Sequence, residues 1–123
     1  MFSVKDLELE IWQRQALMAL ADQSSPWECC GFVMDNGVII PIQNIEDELA
    51  IYRMHPGEQI QAMAYRMPWA VYHSHVSSRG YPSQTDKAMQ RSDYHQIIVS
   101  LMEHSVRLFD PEWRIIKEWG SIS

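Results

Sequence analysis

The chain has 123 residues, of which 46% are hydrophobic, so it is long enough to bury one core and too short for two ordinary domains; a single domain over residues 1–123 is expected. Its formal charge is −6 and its 10 basic residues are dispersed among 16 acidic ones, which leaves no electrostatic footprint for DNA or RNA and excludes nucleic acid as an expected partner. The start Met1-Phe2-Ser3-Val4-Lys5-Asp6 lacks a signal-peptide apolar core and no apolar run approaches membrane-spanning length, so the expectation is a soluble, intracellular protein with no membrane partner.

In chain order, Leu7, Ile11 and Met18, then Leu17, Leu20 and Ala21, recur at helix-like offsets between about residues 6 and 22, where Gly and Pro are absent. This predicts an amphipathic helix, although Val4, Leu7, Leu9 and Ile11 also alternate partly as a short strand would. Ser24-Ser25-Pro26 ends it. Residues 29–34 and 38–45 are apolar and joined by Asp35-Asn36-Gly37, a turn sequence that tolerates positive φ, and they predict a hairpin. Pro41 inside the second arm cannot donate to a ladder, which places that arm at a sheet edge or at a bulge. The adjacent Cys29 and Cys30 face opposite sides of a strand, so they are expected to be reduced, buried, apolar residues and to imply a reducing compartment.

Glu46-Asp47-Glu48 reads as a solvated loop, residues 49–54 as a short strand, and residues 56–67 as a helix with Pro56 near its first position. Residues 69–75 form a further strand after Pro68, and a helix opens near Ser83 and runs to about Ser92 or Tyr94. Residues 96–102, 105–109 and 113–119 give three more strands, with Asp110-Pro111 as a turn, in a closing meander. Helices and strands without regular βαβ alternation argue for an α+β or mixed-sheet domain. The eight methionines and five tryptophans are scattered rather than striped, which favours core filling.

The chemistry concentrates in His73-Ser74-His75 and, seven residues on, Ser83-Gln84-Thr85-Asp86. Strand side chains alternate, so His73 and His75 share a face, and Asp86 falls in the first turn of the following helix. Two imidazoles and a carboxylate make three zinc ligands and leave a fourth position open, as catalytic sites require. His-x-His alone is equally a pair of polar residues on a solvated sheet face. Ser83 with Asp86 resembles a capping box, which would also fix where Asp86 points. His55, His95 and His104 are single histidines and stay outside the proposed site, though His55 stands where it could cap the second helix or face the site. A hydrolytic site needs a base, and Glu28, entering the apolar strand Glu28-Cys29-Cys30-Gly31-Phe32-Val33, is the candidate.

Taken together, Glu28, His73-Ser74-His75, seven residues, Ser83, two residues and Asp86 resemble the signature of the JAMM (MPN-plus) zinc metalloproteases. The resemblance implies a mixed, curved β-sheet flanked by helices, similar to cytidine deaminases. It further implies Zn²⁺ on His73, His75 and Asp86, Glu28 acting on water, and Ser83 hydrogen-bonding the developing oxyanion. Val76 replaces the proline common after the second histidine, and no long insertion follows Asp86, unlike the ubiquitin-chain-selective members. The chain is most similar to small prokaryotic and phage members, such as the JAMM part of lambda-like tail-tip protein K. The resemblance therefore implies a phage or prophage tail-assembly peptidase, cytoplasmic or virion-associated, with a tail protein as substrate. Its alternative is a bacterial peptidase trimming the C-terminus of a ubiquitin-like sulfur-carrier protein, and a reading of another class is a metal-free assembly scaffold.

Overall fold

The computed structural model describes residues 8–89 and 93–120. Helix α1 (Ile11–Ser24) leads into the hairpin β1 (Cys30–Met34) and β2 (Ile39–Ile42), followed by α2 (Pro56–Tyr65), β3 (Pro68–His75), α3 (Gln84–Met89), β4 (His95–Ser100), β5 (Ser105–Phe109) and β6 (Ile115–Trp119). The six strands form one sheet in the order β2-β1-β3-β4-β5-β6. Among the described strands, β3 and β4 pair in parallel, through the crossover that carries α3, and the other pairs are antiparallel. The sheet is mixed, and the expected α+β domain with helices on a mixed sheet is what the chain forms.

Each face of the sheet has its own core. On one face α1 packs Leu17, Met18 and Ala21 against Cys29, Val33, Tyr72, Ile97 and Val99; on the other, Cys30, Phe32, Ile42, Tyr52, Met54 and Val71 pack under Ala62 of α2. Cys29 and Cys30 are free, buried and split between these two cores, as strand alternation requires. The same alternation puts Tyr72 and Ser74 on the α1 side and leaves Val71, His73 and His75 on the α2 side. Burial along the whole of β3 and nearly all of β4 suits the parallel centre of the sheet, where both faces are covered.

Helix α1 begins at Ile11 because the Gln13 side chain accepts from the Glu10 N–H (2.7 Å) and so fixes the helix start there. The same amide donates to the Gly37 carbonyl (2.9 Å), tying α1 to the hairpin turn, where Gly37 has φ 87°. The alternative N-terminal strand falls largely on residues 1–7, outside the described residues. Pro41 lies in β2 at the edge of the sheet, as its missing donor demands.

Four expectations need correction. Residues 49–54 are not a strand: Leu49 and Ala50 turn, Ala50 with φ 66°, and only the isolated bridge Asn44–Met54 forms. Asn44 is the cause, since its Oδ1 accepts from the Glu46 and Arg53 N–H groups (both 3.0 Å) and its Nδ2 donates to the Glu28 carbonyl (2.9 Å), so a side chain takes the place of ladder partners. The last strand starts at Ile115, because the Asp110 carboxylate collects the Glu112 and Arg114 N–H groups (both 2.9 Å) in a turn that holds Trp113 at φ 68°. The third helix does not reach Tyr94, which lies in a bend, and residues 90–92 are outside the described residues. Finally, the tryptophans and methionines do not uniformly fill the core: Trp69, Met18, Met34 and Met54 are buried, but Trp12 is 54% and Met67 62% exposed.

Candidate metal centre

Strand β3 delivers His73 and His75 to one face, and α3 brings Asp86 to meet them. Ser83 is the reason Asp86 points inward: its Oγ accepts from the Asp86 N–H and its own N–H donates to Asp86 Oδ2, each at 3.0 Å, the reciprocal pattern of a capping box. All three side chains are buried. Asp86 Oδ2 lies 3.2 Å from His73 Nε2 and 3.1 Å from His75 Nε2, and the two Nε2 atoms are 3.2 Å apart. A tetrahedral ion with ligand bonds of about 2.0–2.1 Å needs donor atoms about 3.3 Å apart, so the three fit a metal with one position left open. Among the described residues, no other group of histidine, cysteine and carboxylate ligands converges in this way.

The hydrogen on His75 is placed by its surroundings. Nδ1 lies 2.8 Å from the Arg79 carbonyl, which can only accept, so Nδ1 carries a proton and Nε2 is the nitrogen turned toward the cluster. His73 is held instead by its ring, stacked 4.6 Å from Tyr52, and its Nδ1 has no hydrogen-bond partner among the described residues. Burial pulls the His73 imidazole below its ordinary pKa. Burial acts the same way on His75, but the Asp86 hydrogen bond and the Arg79 carbonyl outweigh it and raise the imidazole. In Asp86, burial is overridden by the two imidazoles, which hold the carboxyl well below the usual carboxylate range. The metal-free cluster therefore keeps a proton that a bound cation would displace.

Glu28, two residues before β1, reaches the same neighbourhood. In the β1–β3 register Cys30 stands opposite His73; one step on, Ser74 N–H donates to the Cys29 carbonyl (3.0 Å) and Cys29 N–H donates to Ser74 Oγ (2.8 Å), which sets Glu28 level with His75. Glu28 is 5% exposed and its Oε1 has no hydrogen-bond partner among the described residues. Burial pushes its carboxyl up to about 7, opposed by His75 and reinforced by Asp86. A carboxylate poised near neutrality beside three converging ligands is equipped to take and return a proton.

All five residues singled out in the sequence thus come together, with Ser83 at the exposed rim. His55 instead caps α2, its Nδ1 accepting from the Glu58 N–H (3.2 Å), and His95 stacks on Trp69. Sequence reasoning missed Ser74, Asn44 and Tyr52, which hold Glu28 and His73 in place. The only signal for them was position: the middle of His-x-His, and polar or aromatic residues at the ends of apolar runs.

Residues 13–115 match the family described as prokaryotic homologues of the JAB domain. The chain belongs to this prokaryotic JAB family. The JAB match spans Glu28, His73, His75, Ser83 and Asp86 together. Among curated proteins, the chain is 31% identical over 109 aligned residues to proteins named CysO-cysteine peptidase from Mycobacterium bovis and Mycobacterium tuberculosis, covering 76% of this chain and 75% of theirs. Its JAB fold also resembles the crystal structure of a JAB1/MPN domain protein from Archaeoglobus fulgidus, with a TM-score of 0.58, 16% identity, and coverage of 89% of this chain and 94% of that one. Among the described residues, no helix is long and apolar enough to cross a membrane.

Proposed function

We propose that this JAB chain is a single-domain zinc peptidase that hydrolyses a peptide or isopeptide bond at the C-terminus of a ubiquitin-like sulfur-carrier protein. The observation that carries the chemistry is the convergence of His73 Nε2, His75 Nε2 and Asp86 Oδ2 within 3.1–3.2 Å of one another, with Glu28 Oε1, unpartnered among the described residues, in the same buried region. The substrate class is supported by the relatives named CysO-cysteine peptidase. They favour the sulfur-carrier alternative and displace the phage-tail role expected from the resemblance to tail-tip protein K. The scaffold reading loses its ground because every ligand and the glutamate are present.

Zinc held by His73, His75 and Asp86 would supply Lewis acidity, polarising the scissile carbonyl and acidifying water toward a pKa of about 7. Glu28 takes the proton of the attacking water at Oε1 and returns it to the leaving amine, and its burial, which favours the protonated carboxyl, assists the first transfer. Ser83 Oγ accepts from the Asp86 N–H, which leaves its hydroxyl proton free to donate to the developing oxyanion.

The test is hydrolysis of a sulfur-carrier protein extended at its C-terminus by cysteine, followed by mass spectrometry, with phage tail proteins assayed alongside. The expected result is zinc-dependent cleavage of the carrier, and a loss of about 10²–10⁴-fold in Glu28→Gln at unchanged zinc stoichiometry. Full activity in that variant removes Glu28 as the base. Cleavage of a tail protein alone restores the phage role, and failure of the wild type to take up zinc revives the scaffold.

A further inference from the structure

The loop 76–82 between β3 and α3 is fastened to the far strands by one buried guanidinium. Arg107 of β5 is 8% exposed; its Nη1 donates to Glu103 Oε1 (2.6 Å) and Ser105 Oγ (3.0 Å), and its Nε to Glu118 Oε1 (2.7 Å). Its guanidinium carbon lies 4.1 Å from the centroid of the Tyr81 ring, in cation–π contact. The carboxylates that neutralise it also grip the loop. Glu103 Oε1 accepts from the Gly80 N–H (2.8 Å), Glu103 Oε2 from Arg79 Nε (3.0 Å), and Glu118 Oε1 from the Tyr81 hydroxyl (3.2 Å). Ser100 Oγ adds a bond to the Ser78 carbonyl (2.9 Å). A Cβ at Gly80 would stand 2.6 Å from Arg107 Nη1, so a side chain there would push the guanidinium aside. Every residue from 78 to 81 is therefore tied to β4, β5, β6 or the turn between β4 and β5, and toward β3 the Arg79 carbonyl reaches His75 Nδ1 (2.8 Å).

We propose that Arg107 is a positioning residue for the metal centre: through Glu103, Glu118 and Tyr81 it holds the loop so that the Arg79 carbonyl selects the His75 tautomer and ring orientation that present Nε2 to the ion. The inference rests on the reading of His73, His75 and Asp86 as metal ligands. A strand held between two neighbours needs no buried guanidinium to pair, and removing one from water is costly unless it is fully paired. Here its pairing is spent on the loop that carries the histidine's outer partner, and such partners set a ligand's affinity for its metal.

The experiment is competition for Zn²⁺ between the full chain, stripped with chelator, and a chromophoric chelator of known affinity. Arg107→Met keeps the apolar stem and removes the fork. It is expected to weaken zinc binding about 10–100-fold, although loss of a positive charge near a cation would by Coulomb's law strengthen it. Glu103→Ala frees the Gly80 N–H and Arg79 and is expected to weaken zinc in the same direction, which keeps the test decisive if Arg107→Met does not fold. Val106→Ala, a core change in the same strand, lowers the unfolding midpoint and is expected to leave zinc affinity at the wild-type value. Nitrogen-15 chemical shifts of the zinc-loaded protein should show His75 bound through Nε2 with Nδ1 protonated in the wild type, and a mixture of ring forms in Arg107→Met. Wild-type zinc affinity in both Arg107→Met and Glu103→Ala overturns the inference while leaving the metal site intact. Equal weakening in Val106→Ala also overturns it, by making the effect one of general stability. A wild type that takes up no zinc overturns the inference and the metal reading together.

Discussion

Glu28 is buried to 5% exposure, with Oε1 unpartnered among the described residues, and a carboxyl in that position resists ionisation. Its pKa rises from 4.5 to about 7, so the native state holds a proton that the unfolded chain releases. The stabilisation this gives is complete below pH 4.5 and is lost as pH climbs through 7. In chelator-treated protein, Glu28→Gln should match the wild type near pH 4.5 and exceed it at pH 8 by up to about 3 kcal/mol. Urea unfolding at the two pH values measures this, and an equal difference at both would mean that the carboxyl is not the cause. Ser83 carries two separable functions. Ser83→Ala should cost about 1 kcal/mol through the lost cap and, if the hydroxyl meets the oxyanion, about 10²–10³-fold in kcat. A stability loss without the kinetic loss would leave Ser83 as a cap alone.

Strand β3 is the element on which the two functions of the sheet meet, because alternate residues serve opposite faces. Ser74 locks β3 to β1 from the α1 side, while His73 and His75 face the candidate metal site from the other. Gly31 is what lets the lock close. Tyr72 lies directly across from it, and a Cβ on Gly31 would stand 2.6 Å from the Tyr72 ring and 2.4 Å from the Ile40 carbonyl of β2. Backbone cannot yield as a flexible side chain can, so Gly31→Ala should cost about 2–3 kcal/mol by forcing β1, β2 and β3 apart. Thermal unfolding reads the loss; a neutral substitution would show that the ring of Tyr72 can swing aside. Asn44 plays a similar part outside the strands, joining the Glu28 carbonyl to the chain between residues 46 and 53. Its position was predicted as part of the second hairpin arm because an amide side chain that imitates a ladder has no periodic signature.

For the molecule as a whole, the candidate metal site brings together His73 and His75 of β3 and Asp86 of α3, with Glu28 from before β1, so ion binding there would be coupled to folding. Free zinc at about a hundred times its dissociation constant should add about 2.7 kcal/mol to stability. For a domain of this size that raises Tm by roughly 10 °C. Differential scanning calorimetry with zinc and with chelator measures the shift, which Asp86→Asn should abolish. The effect should shrink toward pH 5, where His75, already raised by Asp86, keeps its proton and competes with the ion. A zinc shift that persists undiminished in Asp86→Asn would place the ion elsewhere.

Local chemistry along the chain determined the hairpin at Asp35-Asn36-Gly37, the edge position of Pro41, the opposite burial of Cys29 and Cys30, the closing meander and the sharing of one face by His73 and His75. Each follows from steric preference or from the two-residue period of a strand, and both act between near neighbours. The signature spacing likewise named Glu28, His73, His75, Ser83 and Asp86. Only the tertiary structure decided that β3 and β4 run parallel, that His55 caps a helix instead of joining the site, and that Tyr52 stacks on His73. It also decided which nitrogen of His75 is turned toward the cluster and that Arg107 fastens the loop beside it. These depend on groups distant in sequence meeting across a packed sheet, where burial, register and hydrogen-bond complementarity act on residues that no local pattern connects.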